Sequence, residues 1–186
     1  MVIRPKRFNI YLLCLALLAP VVGCRSPESR REKQLATLRV HLEVNPDGVG
    51  LSEPVPIYRA NPTLVNVNRG PFLTEGNVAE AKVISDTLGG FALQIQFDLR
   101  GTWLLEQYSA MNTGKRFAVY AEFGDKLAEH RWLGAPIIPR RIPSGVFTFT
   151  PDVTRDEAEQ IARGLNNVAI KNGNQPKQKK SKAKGG

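Results

Sequence analysis

Apolar and polar residues alternate over 38–44, with Leu38, Val40, Leu42 and Val44 on one side and Arg39, His41 and Glu43 on the other. A period of two with one apolar face predicts a strand, and Asn45-Pro46-Asp47-Gly48 predicts the turn that ends it. VPIY at 55–58 and TLVNV at 63–67 predict two short strands, the first held to an edge by its prolines. Thr74 predicts the cap of a short helix over 76–82 that buries Val78 and Ala81. KVISD at 82–86 and FALQIQF at 91–97, joined through Leu88-Gly89-Gly90, predict a hairpin whose second strand carries Phe91, Leu93, Ile95 and Phe97 on one face. A helix follows over 102–112, with Leu104, Leu105, Tyr108 and Met111 inward and Gly114 as its stop. RFAVYAEF at 116–123 and VFTFT at 146–150 predict strands. Between them, 132–145 holds Pro136, Pro139 and Pro143, which bars a central strand and leaves APIIP as an edge or crossing piece. Thr154 with Glu157 three residues on is a capping box that opens a helix to about Asn166, with Ala158, Ile161, Ala162 and Leu165 inward. The fold class is α+β: a small antiparallel or mixed sheet packed against two main helices.

The two ends of the chain read differently from this body. Arg4, Lys6 and Arg7 precede an apolar run at 11–22, too short for a spanning helix of roughly 20 residues. Val21-Val22-Gly23-Cys24 resembles a bacterial lipobox, which implies cleavage after Gly23, lipid on Cys24 and anchorage of the protein to a bilayer through that acylated cysteine. Arg25, with no aspartate after the cysteine, implies a periplasm-facing placement that leans toward the outer membrane. The expected organisation is a signal peptide over 1–23, a tether over 24–36, N-terminal strands and a proline-rich segment over 37–70, the main α+β domain over 71–168 and a disordered Lys-rich tail over 169–186.

Composition sharpens the picture where charge is concerned. The formal net charge of +9 comes from three basic residues in the leader and six in the tail; the remaining basic residues balance the 17 acidic ones. A balanced body argues against nucleic acid as a partner. Lys177, Lys179, Lys180, Lys182 and Lys184 are candidates for contact with an anionic envelope surface. With Cys14 in the leader and Cys24 lipidated, no thiol is left for a disulfide, a metal or a nucleophile.

Candidate chemistry is sparse. His41 lies on the polar face of a strand and His130 in a charged loop, and both are expected to be solvated. Neither has a ligand at metal spacing, and Ser109 and Ser144 lack a nucleophile-elbow context. Asp86 and Asp98 read as strand-end residues that hydrogen-bond turn backbone. The expectation is a non-enzyme with no cofactor and no metal. Trp132, Leu133, Ile137 and Ile138 in the proline-rich stretch, with Trp103 at a helix edge, are the candidate partner-binding residues, because an exposed loop of this kind makes an apolar peptide-binding surface.

Over 71–167 the sequence resembles the periplasmic first (P1) domain of the SecD subunit of the bacterial protein-export translocase, above all its head subdomain. FLTEGNVAEAKV at 72–83, then GGFALQIQFDLRGTWLLEQYSAMNTGKRFAVYAEF at 89–123, then GAPIIPRRIPSGVFTFTPDVTRDEAEQIARGLNN at 134–167 carry the resemblance in order. It implies an α+β head that faces the periplasm and contacts emerging preproteins or translocase subunits, without an enzymatic site. The transmembrane block that follows the head in SecD has no counterpart after Asn167, so the module is expected to assist without conducting protons. The other expectation is a structural or regulatory envelope lipoprotein that uses the same fold for another protein or cell-wall partner.

Overall fold

The computed structural model describes residues 34–46, 48, 50–85 and 89–174. In chain order these form β1 (Thr37–Leu42), β2 (Ser52–Ile57), β3 (Thr63–Asn68), β4 (Leu73–Thr74), β5 (Val78–Ser85), β6 (Phe91–Phe97), α1 (Leu99–Met111), β7 (Phe117–Phe123), β8 (Glu129–Gly134), β9 (Val146–Phe149) and α2 (Arg155–Asn172). A four-stranded sheet runs β4-β1-β7-β8, a three-stranded sheet runs β5-β6-β9, and β2 pairs with β3 alone. Every pairing is antiparallel.

The main core lies where the inner faces of the two larger sheets meet the two helices. Leu38 and Val40 of β1, Leu93, Ile95 and Phe97 of β6, and Phe117, Val119, Ala121 and Phe123 of β7 all point into it. Leu105 of α1 and Ala158, Ile161 and Leu165 of α2 close it. The strand period of two and the helix period of 3.6 thus deliver their apolar residues to one volume.

A second, smaller core sits on the opposite face of the four-stranded sheet. There Val55, Ile57, Val65 and Val67 of the β2–β3 hairpin pack on Ala118 and Ala135, with Trp132 alongside. The hairpin is fastened at several points: the Val44 amide donates to the Asn66 carbonyl (2.9 Å) and the Arg59 amide to the Asp152 carboxylate (2.7 Å). His41 is therefore covered, not solvated, at 6% exposure. Its ring Nδ1 lies 2.8 Å from the Asn68 carbonyl, which can only accept, so Nδ1 carries the proton. Arg39, His41 and Glu43 look like a solvent face in sequence, but the hairpin roofs the middle of it.

The segment around His130, expected as a loop, is part of β8 and pairs with β7, with His130 opposite Glu122. Local structure departs from the sequence pattern in three further places. Thr74 opens only a 3-10 turn, Glu75–Asn77, in which the Asn77 side-chain carbonyl accepts the Thr74 amide (3.2 Å). The chain is extended from Val78 onward because pairing with β6 satisfies a whole strand, whereas a one-turn helix gains little on its own. Next, α1 starts at Leu99, where the Asp98 carboxylate caps it by accepting the Gly101 amide (2.6 Å). Its inward line is Gly101, Leu105 and Ser109, spaced by four, which leaves Met111 75% exposed. Finally, α2 runs beyond Asn166 to Asn172 and stops at Gly173, whose φ of +71° is the left-handed C-terminal cap. Residues 169–172 therefore belong to the helix, with Ala169 buried, and the remainder of the expected tail from 175 lies outside the described residues.

The end of the expected tether is likewise part of the domain. Ala36 is buried, and the Asn167 amide group donates to the Gln34 carbonyl (2.9 Å). Gly164 makes the approach possible: a Cβ there would lie 2.6 Å from the Ala36 amide nitrogen. Gly164→Ala should destabilise the protein by about 1–3 kcal/mol through overpacking against backbone, read as a fall in the denaturation midpoint; an unchanged midpoint would show that residues 34–36 move aside freely. Phe97→Ala should cost about 3–5 kcal/mol as a buried aromatic truncation, measured by urea unfolding, and a change near zero would remove Phe97 from the core.

Candidate functional site

After β8 the chain becomes a strap whose prolines prevent it from continuing as a regular strand. The Phe117 amide donates to the Pro136 carbonyl (3.1 Å), the Ile138 amide to the Lys115 carbonyl (2.9 Å), and the Gly114 amide to the Ile138 carbonyl (2.8 Å). These bonds lay residues 136–138 along the start of β7. The strap then crosses to α1, where the Ile142 amide donates to the Ser109 hydroxyl (2.9 Å) and the Arg141 guanidinium pairs with Glu106. Ser109 is buried mid-helix for this reason, holding a loop amide instead of filling apolar space.

Gly145 turns the strap into β9 at a φ of +69°, with a Cβ position that would lie 2.1 Å from the Thr102 hydroxyl, so only glycine fits. Between the strap and β9 lies an open groove of 610 Å³. Ile137, Pro139, Pro143 and Val146 give it apolar walls, with Ile138 and Phe147 beneath. Arg140 and Arg141 stand at its rim. Arg141 is engaged by Glu106, while Arg140 is exposed and has no carboxylate partner among the described residues.

The five apolar residues expected at one binding surface are placed in four settings. Leu133 and Ile138 are buried in the main core. Trp132 is half-buried under the hairpin, edge-on to His41 (5.2 Å between ring centres) and to Tyr120 (5.3 Å). Trp103 stands 62% exposed on the outer side of α1, beside Leu99 one turn earlier at 68%. Ile137, at 52% exposure, is the one of the five that offers its side chain to the groove from the surface. Sequence reasoning passed over Arg140, Val146 and Thr148; the available signal was a short alternating strand directly after a proline-rich crossing.

Electrostatics around these elements follow burial and pairing. Burial lowers the His41 imidazolium below its ordinary value of 6.5, and Arg39 adds to this, against the opposing pull of the Asn68 carbonyl and Glu53. Burial alone would raise the Glu157 carboxyl. The Thr154 amide and hydroxyl, with Arg131 and Arg59, bring it below the usual carboxylate range. Among the described residues no group of three or more His, Cys, Asp or Glu is placed to hold a metal ion. Asp86, Cys24 and the tail lysines Lys177, Lys179, Lys180, Lys182 and Lys184 lie outside the described residues.

Comparison with known proteins converges on one architecture. The model of the family described as "SecDF, P1 head subdomain" matches residues 52–171. No curated protein matches the chain. Among solved structures, one of a membrane component, SecDF, that enhances protein export superposes with a TM-score of 0.51 at 19% identity, covering 75% of this chain and 66% of that one. Another, SecDF in its super-membrane-facing form, gives 0.52 at 19% identity, covering 76% of this chain but 21% of that one. A third, a translocon-associated SecDF from Thermus thermophilus, gives 0.40 at 17% identity, over 88% and 33%. The chain thus spans less than two thirds of the solved chains it resembles.

These findings correct the placement expected from the N-terminus. SecDF, with which the fold agrees, is an inner-membrane protein whose head stands on the periplasmic side; it is neither lipid-anchored nor in the outer membrane. The lipobox itself, at 21–24, lies outside both the matched range 52–171 and the described residues. No helix of the described residues is long and apolar enough to cross a membrane.

The covered histidine makes stability depend on pH. The unfolded chain takes up a proton near 6.5 and the folded one only at lower pH, so stability is full above 6.5 and declines as pH falls toward the lowered folded value. His41→Gln should flatten this slope in denaturation curves recorded between neutral and mildly acidic pH. A variant as pH-sensitive as the parent would show that another group carries the effect.

Proposed function

The chain belongs to the SecDF P1 head subdomain family, and on that premise we propose that it is a non-catalytic binding module of the periplasmic side that contacts polypeptides during protein export. The observation that carries the reading is the apolar groove between strap and β9, held open by backbone bonds to β7 and by Ser109. Its walls are aliphatic and proline side chains with a cationic rim, and a sequence-tolerant contact with unfolded chains needs such a surface more than it needs a reactive group. The rigid strap also costs a ligand little ordering of the site on binding.

Ile137 is the position to probe, being exposed at the groove mouth while its neighbour Ile138 is buried. A photoreactive residue at 137 in the full chain, irradiated in cells, should crosslink to several exported proteins or to translocase subunits. The same residue at 170, exposed on α2 away from the groove, is the control and should not. Crosslinks at 137 that stay within the chain, or that match the pattern at 170, would sink the reading.

A further inference from the structure

The three-stranded sheet has two outer edges, and the fold treats them differently. On β5, Ala81 is opposite Ile95 and turns its amide and carbonyl away from β6. Asn166 of α2 takes both: its side-chain carbonyl accepts the Ala81 amide and its amide group donates to the Ala81 carbonyl, each at 2.8 Å. One helix side chain thus pairs that edge at Ala81 in the way a neighbouring strand would.

Among the described residues no such closure exists on β9. The Phe97 amide donates to the Gly145 carbonyl (2.9 Å), which sets the alternation of the β6–β9 pair. Phe147 and Phe149 exchange bonds with β6, and Val146 and Thr148 point their backbone groups to the other side. The Val146 amide is taken up by the Ser144 hydroxyl (3.3 Å). The Val146 carbonyl and the Thr148 amide and carbonyl have no partner among the described residues. They open on the groove. On the facing wall, Pro136 and Ile138 bond to the β7 side, so the intervening Ile137 turns its own amide and carbonyl away from β7.

We propose that the groove is a strand-docking site, in which an extended polypeptide segment adds to the free edge of β9, sets apolar side chains against Ile137, Pro139 and Pro143, and places an acidic side chain at Arg140. The proposal rests on the reading of the protein as a polypeptide-contacting module and names how that contact is made. An extended backbone is the occupant that fits, because it supplies donors and acceptors in the alternation an unpaired edge presents, at the strand spacing of about 4.8 Å. The charge at the rim selects its composition: Arg140 has no carboxylate partner among the described residues, so an acidic residue in the segment gains a partner. β9 is four residues long, so the register is short and the site reads few side chains.

The test uses the full chain and a short synthetic peptide of alternating valine and threonine with one central aspartate, in three comparisons by fluorescence anisotropy. First, a copy of the peptide N-methylated at alternate residues, in each of the two registers, keeps the side chains and removes half the backbone donors. In one register it should bind the unaltered protein about tenfold more weakly. Second, Thr148→Pro removes the outward amide without touching the ladder to β6; it should weaken binding by a similar factor while the circular dichroism and melting temperature hold. Third, Arg140→Glu should weaken the aspartate peptide and favour one with lysine at the same position.

Binding by the parent that neither N-methylated register and not Thr148→Pro reduces would overturn strand docking and leave polypeptide contact standing. Failure of the parent to bind the peptide or any reduced, unfolded polypeptide would overturn both. Self-association that Thr148→Pro abolishes would assign the edge to a second copy of the chain and overturn the choice of occupant.

Discussion

The pairing of β1 with β7 is the constraint from which the rest of the structure follows. Six residues of β1 face six of β7 in one unbroken antiparallel register, from Thr37 opposite Glu122 to Leu42 opposite Phe117. That register sends Leu38, Val40, Val119 and Ala121 to one side and Arg39, His41, Ala118 and Tyr120 to the other. A slip of one residue would exchange the two faces, exposing the main core and burying charge. Because the register holds, the inner face can be shared with α2 and the three-stranded sheet, and the outer face can take the hairpin. The start of β7 is then free to hold the strap at Pro136 and Ile138, which gives the groove its fixed wall.

The hairpin is the less obvious consequence. β2 and β3 carry too little apolar surface to stand alone, and the second face of the four-stranded sheet is too polar to need a cover by itself. They meet over Ala118 and Ala135, where small side chains let the hairpin approach. The covered His41 then has its proton placed by the Asn68 carbonyl and its ring set against Trp132. Burial and hydrogen bonding act on this imidazole in opposite directions, and burial is the larger.

How much of this was legible in the chain depends on how many contacts a feature needs. β6 and β7 alternate cleanly over seven residues and are buried on the face the pattern assigns. The Thr154–Glu157 box opens α2 as read, since its bonds are local. The α+β class followed from such elements, and the head resemblance from their order. Features that depend on distant partners were not legible. Val78 and Ala81 are inward in either a helix or a strand, and only β6 decides between them. His41 looked solvated because the hairpin that covers it has no sequence link to β1. Of the residues expected to bind a partner, Ile137 reaches the groove, while Leu133 and Ile138 are core, because an apolar run beside prolines marks packing and exposure alike. At Thr148 the alternating pattern marks the strand but not its free edge, which is a property of topology and not of a side chain.

The Asn166 clamp on β5 has a consequence for how the sheet behaves among other chains. Exposed edges invite pairing that repeats from molecule to molecule. Growth of that kind needs two open sides, one to receive a strand and one to offer the next. With β5 engaged at Ala81 by a side chain of the protein's own helix, a strand arriving on that side meets Asn166 where it would have to pair. Through this sheet, pairing from domain to domain is obstructed at the middle of one edge, which biases a crowd of such domains toward closed pairs and against a filament.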